Sequence, residues 1–380
     1  MISASVLSAL LLCAALNLVL ALRVLLRDAP APVDLRRVLQ AVGLVAGLNV
    51  VQVPLLVLLV QLHPFGVVHL AWLELTAVAP LCGVAVVTAR ARGRAVGAGA
   101  LAAAVVSFLA LPLVVQAQFV TPYDLRVERV TVSVPAAREG DAPLVIGVLA
   151  DLQTPTVGEH ERAAVARLME GAPDLVLVPG DVYQGNSEHF EEVVDDFRAL
   201  LSQLQAPGGV WVVPGNTDYL EGLPRLVEGT GARLLLDETV ELRVRDRRVT
   251  LHGVDEETFA RRDFRVPELL AFDARDDAGD IRLVLSHRPR VVESLPPACR
   301  TDLVVAGHTH GGQVALPWLG PPLVLSPLPN RVGAGGLHEL DGRRLYVSRG
   351  VGMERHQAPR IRFGAPPEVT LLTLESAPAP

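Results

Sequence analysis

Residues 303–310 read LVVAGHTH, an apolar run that turns through a glycine into two histidines. Four earlier apolar runs end in a similar way, each in a corner that carries a polar side chain. The runs and their corners are Leu144–Ala150 before Asp151, Leu175–Val178 before Gly180 and Asp181, Val210–Val213 before Gly215 and Asn216, Ile281–Leu285 before His287, and Leu303–Val305 before His308 and His310. Short apolar runs bounded by turn residues are typical of buried strands. Helical periodicity over 161–170 and 188–204 separates the early runs, and this alternation favours an α/β architecture.

The polar corners have the composition of a metal site. The carboxyl ends of strands in open α/β sheets form the ligand crevice, so we expect these side chains to converge. They offer two carboxylates, one amide oxygen and three imidazoles, a mixed set that suits Mn, Fe, Zn, Co or Ni. Because the set holds no thiolate, a structural zinc site is not favoured. A carboxylate such as Asp181 can bridge two cations about 3.5–4 Å apart, a geometry that clamps a phosphoryl group and generates hydroxide at neutral pH.

Each of these residues also has an ordinary structural interpretation. A lone histidine such as His287 is more often a satisfied core or surface residue, and Asp151 or Asp181 alone could cap a helix. The spacing His308-x-His310 favours the ligand interpretation, because alternate residues of a strand or tight turn point the same way. Five such corners in series predict a metal site.

The first 120 residues predict a membrane region. Four apolar stretches are long enough to cross the hydrocarbon core of about 30 Å, which takes about 20 helical residues. We expect these helices at 3–22, 38–61, 66–88 and 95–117. A cleaved signal peptide is not favoured, because no basic residue precedes the first stretch. The predicted organisation is a four-helix transmembrane region over 1–120, a connecting segment with the first strand over 121–142, and a further domain over 143–376.

The arginines predict the orientation of this region. Arg23, Arg27, Arg36 and Arg37 follow the first stretch, and Arg90, Arg92 and Arg94 follow the third. The positive-inside rule places these loops in the cytoplasm and both termini outside, so the domain after residue 143 is expected to be extracytoplasmic. The chain has 34 Lys and Arg against 41 Asp and Glu, a net charge of -7, which argues against nucleic acid as a specific partner.

Three polar residues, Asn49, Gln52 and Glu74, lie inside the expected spans. One interpretation is a lipid or ion site, because such groups are costly in hydrocarbon. The other is hydrogen bonding between helices, which we favour for Asn49 and Gln52. Glu74 stays open between the two.

The corner motifs resemble those of the calcineurin-like metallophosphoesterase superfamily: GD at 180–181, GNTD at 215–218, SH at 286–287 and GHTHGGQ at 307–313. The stretches LYVSRGVG and IRFGAPPEVTLLTL also resemble its bacterial membrane-anchored branch. This resemblance covers roughly 125–376 and implies a four-layer αββα sandwich with two divalent ions. It implies a first ion held by Asp151, Asp181 and His310, and a second held by Asp181, Asn216, His287 and His308.

Two positions depart from the superfamily's usual pattern. Gln153 replaces a usual histidine ligand, and an amide oxygen binds a transition metal more weakly than an imidazole does. We therefore expect a first ion that is loosely bound, of different identity or absent at rest. Thr217 replaces the histidine that is thought to assist the leaving group. Because a hydroxyl is no general acid at neutral pH, we expect lower activity or a restriction to good leaving groups.

The resemblance implies a metal-dependent phosphoric ester hydrolase anchored as a multi-pass protein in a bacterial inner membrane. The expected substrate is a phosphomonoester, a phosphodiester or a pyrophosphate, with a lipid or envelope component as one candidate. Gln153 and Thr217 leave a second function open, a catalytically impaired module that binds metal or phosphate and regulates or scaffolds at the membrane. A transport function is not favoured, because the spans hold few ionisable groups.

Overall fold

The computed structural model describes residues 3–27, 31–135, 138, 140–262, 266–275, 279–297 and 299–377. They form two compact units. The helical unit comprises Met1–Val120 with Glu354–Arg360, and the sheet unit comprises Thr121–Met353 with Ile361–Pro380.

The described part of the helical unit contains four helices that are long and apolar enough to cross a membrane. They are α1 (Ala4–Leu26), α2 (Leu35–Val60), the continuous segment Pro64–Ala91 and the segment Ala98–Tyr123. The third segment comprises α3 (Pro64–Leu73), a π-helical turn (Glu74–Val78) and α4 (Ala79–Ala91). The fourth segment begins with α5 (Ala98–Phe108) and α6 (Ala110–Val115). It ends in a π-helical turn (Gln116–Val120) and a 3₁₀ turn (Thr121–Tyr123). Each helix overlaps one of the expected apolar stretches. The first, third and fourth helices end three to six residues later than expected, and the second ends one residue earlier.

A polar cluster joins three of these spans. The side-chain amide of Gln52 donates to Asn17 at 3.0 Å, and Asn17 donates to Asn49 at 3.1 Å and to Glu74 at 2.7 Å. Asn49 donates to both carboxylate oxygens of Glu74, at 2.9 and 3.0 Å. Such bonds stabilise helix association where hydrocarbon offers no other partner.

The segment Glu354–Arg360 belongs to the helical unit through Gln357. Its Oε1 accepts a hydrogen bond from the backbone N–H of His63 at 2.8 Å, and its Nε2 donates to the carbonyl of Gln61 at 3.2 Å. The ring Nδ1 of His69 donates to the Gln357 carbonyl at 3.1 Å. These bonds fasten the segment to the turn between the second and third spans.

The sheet unit contains two six-stranded sheets. The strands are β1 (Arg126–Val134), β2 (Leu144–Val148), β3 (Leu175–Val178), β4 (Val210–Val212), β5 (Ala232–Leu234), β6 (Glu238–Val244), β7 (Arg247–Gly253), β8 (Ile281–Leu285), β9 (Leu303–Ala306), β10 (Gly336–Leu340), β11 (Arg343–Val347) and β12 (Glu368–Ser376). The first sheet has the order β1-β12-β2-β3-β4-β5, and the second has the order β10-β11-β9-β8-β7-β6. Neighbouring strands from β2 to β5 are parallel, as are β7, β8 and β9. Strands that precede the predicted corners therefore end at the same edge of their sheet.

The two sheets pack face to face. Ile146 and Leu177 of the first sheet and Leu283 and Val305 of the second belong to one buried apolar cluster. Burial at about 25 cal/mol per Å² of apolar surface makes this layer a main source of stability.

Helices cover the outer face of each sheet. On the first sheet lie α7 (Glu159–Met169) and α8 (Ser187–Leu201), which bury Phe190 and Phe197. A second group covers the other sheet: α10 (Glu256–Arg261), α11 (Pro267–Asp273), the 3₁₀ helix Pro289–Ser294 and α12 (Asn330–Gly333). The short helix α9 (Leu223–Val227) connects β4 to β5. The domain is thus an α/β fold with the four αββα layers that the resemblance implies.

Candidate metal centre

The predicted ligands follow the ends of five strands. Asp151, Asp181 and Asn216 follow β2, β3 and β4 of the first sheet. His287 follows β8, and His308 with His310 follows β9 of the second sheet. Each residue lies just beyond the carboxyl end of a parallel strand, where ligand sites of α/β sheets form.

Asp151, Asp181 and His287 form the core of this site. Each offers one ligand atom, and the three atoms lie within 4.8 Å of one another. The Nε2 of His287 is 3.5 Å from Oδ2 of Asp181, and its Nδ1 is 3.8 Å from Oδ1 of Asp151. All three side chains are buried. Three such side chains this close together could hold a metal ion.

The hydrogen bonds of His287 decide which ring nitrogen can bind a metal. Its Nδ1 lies 2.9 Å from the carbonyl of Pro179, which can only accept, so Nδ1 carries the proton. Its Nε2 is 2.8 Å from Oδ1 of Asn216 and 3.0 Å from Nδ1 of His308. The unprotonated Nε2 therefore faces the oxygens of Asn216 and Asp181. Acceptors that converge in this way are stabilised by a cation, so the residues present fit a bound metal ion.

Burial and neighbouring charges shift the pKa values of the site residues. Burial raises the pKa of the Asp151 carboxyl well above its usual value, and the charge of Asp181 raises this pKa further. Burial is also the main cause that lowers the pKa of His287, His308 and His310. These imidazoles are neutral at neutral pH, the form that gives a lone pair to a metal.

The backbone of the site is strained. Five predicted site residues have a left-handed conformation: Asp151 (φ 48°), Gln153 (φ 40°), Asp181 (φ 52°), His308 (φ 72°) and His310 (φ 50°). For residues other than glycine this conformation costs of order 1–3 kcal/mol each, and such residues cluster at functional sites.

Three glycines make room for the two carboxylates. A Cβ at Gly215 would lie 2.1 Å from Oδ1 of Asp181. A Cβ at Gly307 would lie 2.7 Å from Oδ2 of Asp151, and one at Gly350 would lie 2.6 Å from the Cβ of the same aspartate. The chain approaches each carboxylate more closely than any larger residue would allow.

Comparison with known proteins identifies the domain that carries this site. Residues 144–312 match the family model described as calcineurin-like phosphoesterase. This domain belongs to that family. An "Uncharacterized metallophosphoesterase" from Aquifex aeolicus is 28% identical over 259 residues, which are 67% of this chain and 93% of the relative. "Uncharacterized metallophosphoesterase YkuE" from Bacillus subtilis is 26% identical, over 57% of this chain and 73% of the relative. "Phosphodiesterase YaeI" from Escherichia coli is 29% identical, over 56% of this chain and 74% of the relative.

In this calcineurin-like phosphoesterase domain, the two unusual residues both contact Asp181 through their backbone. The N–H of Gln153 donates to the Asp181 carbonyl at 2.8 Å, and the N–H of Thr217 donates to Oδ1 of Asp181 at 2.8 Å. The side chain of Gln153 is buried, and so is the hydroxyl oxygen of Thr217. The N–H of Thr217 therefore orients the Asp181 carboxylate, whereas the N–H of Gln153 holds the Asp181 backbone.

His310 contacts the guanidinium of Arg362. The described residues that are close enough to share one ion are Asp151, Asp181 and His287, and His310 lies outside this group. Its ring Nδ1 is 3.4 Å from the guanidinium of Arg362. Since a guanidinium only donates, this contact is a hydrogen bond when Nδ1 of His310 is unprotonated.

Asp218 is a buried residue of the site that the sequence analysis missed. Its Oδ2 accepts from the N–H groups of Gly215 at 2.8 Å and Asp181 at 2.9 Å. Its Oδ1 accepts from Val182 at 2.8 Å and Tyr183 at 2.9 Å. One carboxylate thus fixes the two corners that carry Asp181 and Asn216. Burial, and then the charge of Asp181, raise the pKa of Asp218 to about 6. The sequence signal was an aspartate three residues after the corner glycine, a spacing that allows side-chain bonds to the backbone of a turn.

Arg362 is the second residue that was missed. It is fully buried, and its guanidinium donates to the carbonyls of Gly350, Gly352 and Ala365 at 3.2, 2.6 and 3.0 Å. Burial lowers the pKa of Arg362 to about 10. It fastens the loop after β11 beside His310. No sequence signal separates it from the chain's other arginines, because its partners are backbone carbonyls.

Proposed function

We propose that this protein is a membrane-bound, metal-dependent phosphoric ester hydrolase. The observation that carries the proposal is the convergence of three acceptors: Nε2 of His287 lies 2.8 Å from Oδ1 of Asn216 and 3.5 Å from Oδ2 of Asp181. A bound cation would stabilise such an arrangement, and the family is one of phosphoesterases.

The proposed site holds two divalent ions, of Mn, Fe, Zn, Co or Ni. Asp151, Asp181 and His310 would hold the first, together with Gln153 in place of the usual imidazole. Asp181, Asn216, His287 and His308 would hold the second. Divalent ions in such a site supply a hydroxide at neutral pH and stabilise charge on the phosphoryl oxygens.

The residues around Asp181 fix its position, and Thr217 restricts the leaving group. Three contacts hold Asp181 in one orientation: they come from the N–H groups of Thr217 and Gln153 and from the carboxylate of Asp218. Thr217 stands where the superfamily usually has a histidine, and its hydroxyl cannot donate a proton to a leaving group at neutral pH. Because positioned acids contribute typically 10²–10⁴-fold, the best substrates are those whose leaving group needs no protonation.

We propose a phosphomonoester, phosphodiester or pyrophosphate of a lipid or envelope component as the substrate. Four helices suited to a membrane would confine the site to a bilayer surface, where lipid headgroups lie. Arginines after the first and third spans support a position on the extracytoplasmic side of a bacterial inner membrane. The Escherichia coli relative is named a phosphodiesterase.

The test uses the full chain in detergent micelles with bis-p-nitrophenyl phosphate, whose leaving group is good without an acid. Turnover is measured with Mn, Fe, Co, Ni and Zn in turn. We expect turnover with at least one metal, its loss in Asp181→Asn, and its retention in Asp195→Asn, an exposed control on α8. Equal rates in wild type and Asp181→Asn with every metal would refute the hydrolase.

The second candidate is a module that binds metal or phosphate without turnover. Gln153 and Thr217 favour it, since both replace histidines of the usual catalytic set. The double variant Gln153→His with Thr217→His distinguishes the two candidates. Activity that appears only in the double variant favours the binding module, whereas an active wild type removes it.

A further inference from the structure

We propose that Arg288 binds a non-bridging phosphoryl oxygen of the substrate. Its positive charge would replace the charge that a histidine at position 217, which is Thr217 here, would supply. The inference rests on the proposed function. Arg288 follows His287 directly, and its Nη1 lies 3.3 Å from Nε2 of His308. A quarter of its side-chain surface is exposed. The guanidinium therefore lies beside a predicted ligand and is partly open to solvent.

A buried carboxylate orients Arg288. Its Nε forms an ion pair with Oε1 of Glu256, a residue that is only 5% exposed. Glu256 begins α10, whose N-cap Asp255 accepts from the N–H groups of Glu257 and Thr258. An arginine held in this way loses little side-chain entropy when it binds, which favours its use for phosphate.

The contact between Arg288 and His308 changes when His308 is a metal ligand. Nδ1 of His308 faces Nε2 of His287, 3.0 Å away, and Nε2 of His308 faces Arg288. If His308 binds through Nδ1, its proton must be on Nε2, which then cannot accept from the guanidinium. Two donors would then face each other, and a phosphoryl oxygen bound beside His308 would accept from the Nη1 of Arg288 where His308 no longer can.

The other arginines described near the site are committed elsewhere. Arg362 is fully buried and donates to backbone carbonyls. Arg349 forms ion pairs with Glu128 and Glu368. Arg288 combines proximity to a predicted ligand, partial exposure and a fixed orientation, and guanidinium groups match phosphate geometry through paired donors.

The experiment compares Arg288→Gln with Arg290→Gln in the full chain loaded with Mn²⁺. Arg290 lies in the same 3₁₀ helix, is partly exposed and pairs with Glu293, so it is a matched control. The first readout is the Kd of inorganic phosphate by calorimetry, and the second is the kinetics with bis-p-nitrophenyl phosphate. We expect Arg288→Gln to raise the Kd of phosphate roughly 10- to 100-fold, the loss of a charge-assisted hydrogen bond. Arg290→Gln should change it less than about twofold, and Arg288→Lys should lie between the two.

The outcomes separate this inference from the proposed hydrolase. Phosphate affinity that is equal in Arg288→Gln and Arg290→Gln overturns the role of Arg288, even when the wild type is active. Loss of bound Mn²⁺ in Arg288→Gln also overturns it, because the residue would then be structural. A wild type that binds phosphate through Arg288 without turnover supports the inference and refutes the hydrolase. A wild type that binds no phosphate refutes the inference directly.

Discussion

Gly215→Ala tests whether the position of Asp181 controls the site. A Cβ at residue 215 would lie 2.1 Å from Oδ1 of Asp181 and 2.2 Å from its backbone N, whereas ordinary contact begins at 3.4 Å. The carboxylate must therefore move by about 1.3 Å, while metal ligands tolerate roughly 0.2 Å. Since a displacement of about 1 Å can cost about 100-fold in rate, we expect turnover to fall at least that far. Metal affinity should fall with it.

The control for this variant is Gly229→Ala. A Cβ there meets nothing within 4 Å, but the backbone has φ 75°, so the variant carries strain without a clash. Turnover of bis-p-nitrophenyl phosphate, bound Mn²⁺ and the melting temperature are measured for both variants. Overpacking at Gly215 should also cost about 1–3 kcal/mol of stability. If Gly215→Ala matches Gly229→Ala in turnover and bound metal, the position of Asp181 does not control the site.

Three further predictions concern stability. Arg362→Met leaves several buried carbonyls without a donor, so the free energy of unfolding should fall by about 3–5 kcal/mol, and an unchanged melting temperature would contradict this. Burial lowers the pKa of His252 to about 4, so the folded state binds fewer protons than the unfolded state between pH 6.5 and 4. Stability should therefore fall by up to roughly 3 kcal/mol as pH falls through that window, and His252→Gln should remove this part of the pH dependence. Glu74→Leu removes the acceptor for Asn17 and Asn49, whereas Glu74→Gln keeps an amide oxygen there, so in detergent the full chain with Glu74→Leu should melt at the lower temperature. Equal melting temperatures would refute a role for this acceptor in holding the spans together.

The strand ends could be predicted from the sequence because their signal is local. The run before Asp181 is continuous and apolar, as expected for a strand buried on both faces, and β3 occupies it. The helix expected over 161–170 forms at Glu159–Met169, and the one over 188–204 forms at Ser187–Leu201. The expected ends differ by one to three residues, because helix ends depend on caps such as Asn186, whose side chain accepts from His189.

Most contacts of the supporting residues could not be predicted, because their partners are distant in sequence or are backbone atoms. The bond from Gly215 to Asp218 is the local exception. Asp218 acts on N–H groups 35–37 residues away, and this becomes visible only when β3 and β4 pair. Arg362 lies 52 residues from His310 in sequence. The proposed role of Arg288 rests on its contacts with two residues of other elements, Glu256 and His308. The sequence shows which side chains offer ligand atoms, whereas the contacts that orient them depend on the packing of two sheets.

The metal content of the full chain tests the central claim most directly. The purified protein is saturated with Mn²⁺, freed of unbound ions and analysed for metal per chain, beside Asp181→Asn and the exposed control Asp195→Asn. We predict at least one ion per chain in the wild type and in Asp195→Asn, and its loss in Asp181→Asn, because this carboxylate is proposed to take part in both metal positions. A wild type that retains no more Mn²⁺ than Asp181→Asn would contradict the account.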